Sequence, residues 1–96
     1  MRVAEVIGKV TLSRNHPSLN GARWVIGVPL SAAGLTGAAE GRGEPLVIYD
    51  EYGAHSGSLL AFSEGAEATA PFHPHVKPLD AYNSALIDRI VVGRVD

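Results

Sequence analysis

The chain has 96 residues and a mass of 10.1 kDa, which predicts one domain over 1–96 and argues against two. Hydrophobic residues make up 46% and charged residues 19%, so the chain has enough apolar side chains to bury a core. The net charge of −2 argues against a nucleic-acid partner, because there is no excess of cations to contact phosphates. The absence of cysteine excludes disulfides, thiolate metal sites and a thiol nucleophile.

The length of the chain and of its uncharged stretches indicates whether it self-associates and whether it spans a membrane. A domain of this size buries only about 60 to 68% of its unfolded surface, so association with further copies is expected to stabilise it. The longest uncharged stretch, 24–39, is shorter than the roughly 20 residues of a membrane helix and is interrupted by Pro29 and three glycines. We therefore expect an oligomer and no membrane span.

The first half of the sequence predicts two strands joined by a turn. Residues 15–21 have turn chemistry, and an alternating run over 23–30 predicts the second strand. The stretch 31–45 holds four glycines, four alanines and three charges, and is predicted to be a mobile loop. Apolar residues at every second position predict a half-buried first strand, with one face formed by Val6, Gly8, Val10 and Leu12.

The second half predicts three further strands and one short helix. Strands are expected over 46–50 and 58–62, separated by a turn at 53–57 that needs two glycine backbones. A helix is expected over 63–70 with Ser63 as its N-cap, and a long fifth strand over 84–95. Five short strands favour closure, because a closed sheet has no exposed edge, so the predicted fold is an all-β, five-stranded OB-like barrel with one short helix.

Residues with catalytic or metal-binding chemistry do not converge in the sequence. His73 and His75 would lie on one face of an extended segment, but two ligands without a third make metal binding a weak hypothesis beside a solvated proline-rich loop. His55 and Ser56 are adjacent without a G-x-S-x-G motif, which argues against a catalytic triad. Asp50 and Glu51 point to opposite sides of a strand, so structural roles are favoured over acid–base catalysis.

Asp88 is unusual because the predicted fifth strand places it on an apolar face with Leu86, Ile90 and Val92. A carboxylate in such a place needs hydrogen-bond donors. We expect a backbone amide or an arginine to supply them, including an arginine of a neighbouring subunit.

Several segments, in order along the chain, carry a resemblance to a known family. They are the opening 1–10, the turn Pro17-Ser18-Leu19-Asn20-Gly21-Ala22-Arg23, the loop Tyr49-Asp50-Glu51-Tyr52-Gly53-Ala54-His55-Ser56-Gly57, the stretch 59–68, Pro78-Leu79-Asp80-Ala81 and Ala85-Leu86-Ile87-Asp88-Arg89-Ile90. Together they resemble the EutN/CcmL family of vertex proteins of bacterial microcompartments. In this chain His55 stands where the family usually has glycine and Ser58 where it usually has glutamate, and 72–75 has no clear family counterpart.

The resemblance implies a structural protein without catalytic residues or a cofactor. It implies an OB-like barrel that forms a cyclic homopentamer and closes the vertices of a polyhedral shell in the bacterial cytoplasm, next to hexameric and trimeric shell proteins. The residues expected at subunit interfaces or a pore are Gly53, Ala54, His55, Ser56, Gly57 and Asp88. Those expected at the shell rim are Arg14, Ser18, Leu19, Gly21 and Arg23.

Purely structural explanations of three of these residues, and one alternative function, remain open at this point. Gly53 and Gly57 are also explained as turn glycines with positive φ, and Arg23 as a solvated cation at a strand edge. The alternative function is an OB-type module that binds a ligand or nucleic acid. Such a module needs a basic or aromatic face, and the six aromatic residues are not interleaved with cations.

Overall fold

The protein is described by a computed structural model over residues 1–92, in which five strands form most of the regular structure. The strands are β1 (Arg2–Val10), β2 (Arg23–Leu30), β3 (Leu46–Asp50), β4 (Leu59–Glu64) and β5 (Ala81–Ile87). Two four-residue helices are α1 (Ala32–Leu35) and α2 (Ala66–Thr69). Single 3₁₀ turns occupy Pro17–Leu19, Ala39–Gly41 and Ala70–Phe72.

The strands close on themselves in the order β1-β2-β3-β5-β4, with β4 paired to β1. All neighbours are antiparallel except β3 and β5, which are parallel and meet at Tyr49 and Tyr82. Closure gives every described strand two hydrogen-bonded neighbours, but β3 and β5 share a single pair, so most of their facing edges is unpaired.

Two apolar clusters form on the two sides of this sheet, because successive residues of a strand point in opposite directions. Adjacent residues such as Trp24 and Val25 are therefore both buried, each in a different cluster. The inner cluster is Ala4, Val6, Val25, Ile48, Ala54, Leu60, Phe62 and Ala81. The outer cluster is Leu19, Trp24, Tyr49, Ala68 and Tyr82, with Val10, Ala22, Phe72 and Leu79 packed against it.

The aromatic rings hold the outer cluster together. Tyr49 lies edge-on to Trp24 and to Phe72, each at 5.2 Å between ring centroids. Phe72 is also edge-on to Tyr82 at 5.4 Å, and the Lys77 Nζ lies 4.8 Å from the Phe72 ring centroid. Edge-to-face pairs and cation–π contacts are both attractive. Phe72 therefore anchors the segment 72–75 to the outer face of the sheet.

Several sequence predictions are confirmed and others are wrong. The bounds of β3 and the positive φ of Gly53 and Gly57 agree with expectation. The predicted single face of the first strand is wrong, because a register shift between Val6 and Gly8 inserts a residue. Val6 consequently lies in the inner cluster, whereas Val10 packs against the outer one.

The second half of the chain also departs from expectation. The fifth strand begins at Ala81 and ends at Ile87, where its pairing with β4 ends, rather than covering 84–95; residues 93–96 lie outside the described part. The predicted helix is shorter, and Gly65 precedes it with no side-chain cap. Ser63 lies in β4 instead, where its Oγ is 2.9 Å from Ser84 Oγ.

The stretch 31–45 contains α1 and the turn Ala39–Gly41. Gly34 and Gly41 bring their backbones into direct contact, and Ser31 N donates to the Gly41 carbonyl at 2.9 Å. The mobility of this stretch stays a prediction. Within residues 1–92, the helices are too short to cross a bilayer.

Candidate functional site

The carboxylate of Asp50, at the end of β3, is the centre of a buried hydrogen-bond network. Its Oδ1 accepts from Asn83 Nδ2 at 2.9 Å and from the Tyr52 N–H at 3.0 Å. Its Oδ2 accepts from the Ala54 N–H at 2.8 Å and from Arg23 Nε at 3.1 Å. The carboxylate is fully buried, and its two oxygens are occupied by four donors.

Burial and hydrogen bonding act on this carboxylate in opposite directions. Burial works to raise the pKa of Asp50, because it removes the charged form from water. The N–H of Tyr52, the amide of Asn83, the N–H of Ala54 and the charge of Arg23 outweigh burial and hold the pKa of Asp50 below its ordinary value of 3.8. Asp50 is therefore ionised at neutral pH and keeps its four acceptor contacts.

The network shapes the loop over 53–57. Gly53 and Gly57 have φ values of 78° and 91°, which a residue with a side chain rarely adopts. Ala54, between them, is buried in the inner cluster, whereas His55 and Ser56 are exposed. The loop thus has one side tied to the protein and one side presented outward.

The far end of the loop is fastened to β1. The Gly57 N–H donates to the Val6 carbonyl at 2.8 Å, and the Val6 N–H donates to the Ser58 carbonyl at 2.8 Å. The Ser58 N–H donates to the His55 carbonyl at 2.8 Å, and the Ser58 hydroxyl accepts from the His55 N–H at 3.1 Å. Ser58 therefore closes the turn within the chain.

Arg23 joins this loop rather than standing apart from it. Its Nη2 donates to the Ala54 carbonyl, and its Nε contacts Asp50. The sequence placed Arg23 with the rim residues and the 53–57 loop with the interface residues. The structure brings the two sets together at Asp50, while about half of the Arg23 side chain, 47%, stays exposed.

The other rim candidates lie on the connection between β1 and β2. Arg14 is exposed, and Leu19 is buried in the outer cluster. The Ser18 N–H donates to His16 Nδ1 at 3.1 Å, which caps the turn Pro17–Leu19. Gly21 has a φ of 80° and leads the chain into β2.

The remaining candidates do not join the network. Asp88 is exposed and follows the end of β5, so its predicted place on an apolar strand face is wrong. His73 and His75 lie in a turn rather than an extended segment, and both are exposed. Within residues 1–92, no three His, Asp or Glu side chains lie close enough together to hold a metal ion.

Sequence reasoning missed the two β5 residues that complete the site. Asn83 is fully buried, and its Oδ1 accepts from the Ala85 N–H at 3.1 Å, which turns its NH₂ group toward Asp50. Tyr82 donates to Glu51 at 2.8 Å, and burial together with the Glu51 carboxylate raises the pKa of Tyr82. The signal for Asn83 was a lone amide between Ala81 and Ala85 on one strand face.

The arrangement around Asp50 suits a structural role. A carboxylate whose oxygens already accept four hydrogen bonds has no free lone pair directed at a substrate. Among the described residues, every buried polar side-chain atom has a hydrogen-bond partner. The network therefore sets the shape of an exposed loop.

Comparison with known proteins identifies the family. A sequence model described as ethanolamine utilisation protein EutN/carboxysome matches residues 1–88. The chain belongs to this family. The resemblance inferred from the motifs is confirmed, and the match favours a structural role in a microcompartment shell over the OB-type binding module and over an enzyme. A search of curated proteins found no significant match.

Solved structures show the same fold. CcmL of Gloeobacter violaceus is 26% identical with a TM-score of 0.81, and the alignment covers 96% of this chain and 90% of that one. EutN of Escherichia coli is 22% identical with a TM-score of 0.79, covering 97% and 90%. GrpN of Rhodospirillum rubrum, described as a pentameric microcompartment shell protein, is 24% identical with a TM-score of 0.76, covering 99% and 100%.

Proposed function

We propose that five copies of this chain form a cyclic ring that occupies a vertex of a bacterial microcompartment shell. The family match supports the shell role, and the fold shared with GrpN, described as pentameric, supports the ring. In this proposal the closed sheet is an OB-like barrel that acts as a building block. A flat layer of hexagonal tiles cannot close into a polyhedron, whereas a ring that closes after five copies introduces the needed curvature.

The main support for the ring is that the outside of the closed sheet has two different apolar areas, which lie on different strands. One area is formed by outward residues of β2 and β3, where Ile26 pairs with Val47 and Val47 is 45% exposed. The other lies across β1, β4 and β5 and is formed by Val3, Leu59, Ala85 and Ile87, with Glu5 paired beside Leu59. A cyclic ring needs two different surfaces on each subunit, because each contact is heterologous.

The residues of the candidate site are assigned to this assembly. We place the loop Gly53, Ala54, His55, Ser56 and Gly57 at the subunit junctions or the ring axis, since its exposed side is held in one shape by Asp50. Asp88, exposed after β5, is assigned to the same junction. The shell-rim residues are Arg14, Ser18, Leu19, Gly21 and Arg23.

The proposed partners follow from the vertex position. The ring would contact hexameric and trimeric shell proteins, and the assembled shell would lie in the bacterial cytoplasm. The stretch 31–45 is proposed to be the mobile part of the domain.

Native mass spectrometry of the purified chain tests the ring. Five chains of 10.1 kDa have a mass of about 50 kDa. Val47→Glu buries a charge in the proposed contact and should shift the mass toward one chain, because an unpaired charge is costly to desolvate. Val76→Glu is the matched control, since Val76 is 85% exposed and lies outside both apolar areas. A wild-type chain that stays monomeric at high concentration would show that the proposed function is wrong.

A further inference from the structure

A cleft of about 380 Å³ lies between the end of β1 and the start of β2. Two cations, Lys9 and Arg23, line it, together with the side-chain amides of Asn15 and Asn20. Trp24, 8% exposed, contributes an apolar surface. No Asp or Glu is among the described residues that line the cleft, although the chain as a whole carries a net charge of −2.

The Arg23 guanidinium is held in place with unused donors. A guanidinium has five N–H groups, of which one on Nε contacts Asp50 and one on Nη2 contacts the Ala54 carbonyl. The other three have no acceptor among residues 1–92, and the side chain is 47% exposed. Because two contacts already fix the planar group, little further side-chain entropy is lost when a ligand binds to it.

Lys9 supplies the net positive charge of the cleft. The buried Asp50 carboxylate lies against Arg23 and neutralises much of its charge, so Arg23 contributes mainly hydrogen-bond donors. Lys9 is exposed and forms no ion pair with a residue of the described part of the chain. A guanidinium held by two contacts and an ammonium that lines the same cleft together suit an anionic, planar group.

We propose that this cleft receives an Asp or Glu side chain of the shell protein that contacts the ring. The proposal rests on the proposed vertex function and adds the chemistry of the partner. A carboxylate would accept two hydrogen bonds from Arg23 and lie near the Lys9 ammonium, with the Asn20 Nδ2 group as a further donor. The cleft faces a protein partner in this proposal, not a free anion.

The test titrates the full chain with a capped tetraglutamate peptide at about 20 mM salt, where screening is weak. Backbone amide chemical shifts report the binding site, and a capped tetraglutamine peptide is the neutral control. We expect the acidic peptide to shift amides of residues 9–24 and the neutral one to leave them unchanged. Lys9→Gln should weaken binding about threefold, the effect of losing one exposed ion pair. Arg2→Gln, which removes a cation outside the cleft, should leave the affinity unchanged.

Each alternative result overturns the proposal in a recognisable way. Equal shifts with both peptides, or equal affinity of wild type and Lys9→Gln, would show that the cleft does not select a carboxylate through Lys9. Inorganic phosphate binding at lower concentration than the peptide would identify a small-anion site instead. Native mass, measured on the same samples, reports the ring separately. A ring without peptide binding refutes only the cleft, whereas peptide binding by a monomer refutes the vertex role and with it the shell partner of the cleft.

Discussion

Asn83 donates from Nδ2 to Asp50 Oδ1 at 2.9 Å, and this hydrogen bond joins two fully buried side chains from β3 and β5. The two strands have a single residue pair in register, Tyr49 with Tyr82. This side-chain hydrogen bond is therefore important for holding β3 against β5, because few backbone hydrogen bonds join these two strands. The same carboxylate then fixes the loop that the proposed ring would use at its junctions.

Asp50→Asn is expected to lower the free energy of unfolding by about 3 kcal/mol, because the introduced NH₂ group faces donors and the charge opposite Arg23 is lost. Urea denaturation followed by circular dichroism measures the change. Asp80→Asn is the matched control, since Asp80 is exposed, and it should change stability by less than about 0.5 kcal/mol. Equal effects of the two substitutions would contradict a special role of the buried network.

The stability of the protein is expected to fall in acid through Asp50. The folded-state pKa of Asp50 is below its ordinary value of 3.8, so the unfolded chain binds a proton first as the pH decreases. The contribution is complete well above that value and is lost as the pH falls through it toward the folded-state pKa. Urea midpoints between about pH 7 and pH 3 should decline less steeply in Asp50→Asn than in the wild type. Parallel curves would exclude Asp50 as the source of acid sensitivity.

Gly34→Ala is expected to disrupt the packing of 31–43, because the new Cβ would overlap the backbone of Gly41. Overpacking against a backbone that cannot rotate away costs about 1 to 3 kcal/mol. Urea denaturation measures the loss, and limited proteolysis should show faster cleavage within the stretch. Gly43→Ala is the control, since its Cβ would meet Pro29 at an ordinary 3.5 Å. Identical cleavage rates in the two variants would count against the close Gly34 and Gly41 contact.

Structural features that are set by residues adjacent in the sequence, such as strand bounds and turns, were predictable from the sequence alone. The strand Leu46–Asp50 has the predicted bounds because a compact run of β-branched and aromatic residues ends at turn residues. Gly53 and Gly57 have the predicted positive φ because their turn needs backbones without a Cβ. The order of the family motifs likewise identified the family, which the match over 1–88 confirms.

Only the tertiary structure decided which distant residues meet. The bulge in β1 moved Val10 to the outer cluster, and β5 ended where its partner strand ended, although the apolar pattern continues to Val92. Because β5 ends at Ile87, Asp88 lies beyond the strand and is exposed. The contacts of Asp50 with Arg23 and Asn83 join residues 27 and 33 positions away, and their geometry is set by strand closure, which no local pattern of residues encodes.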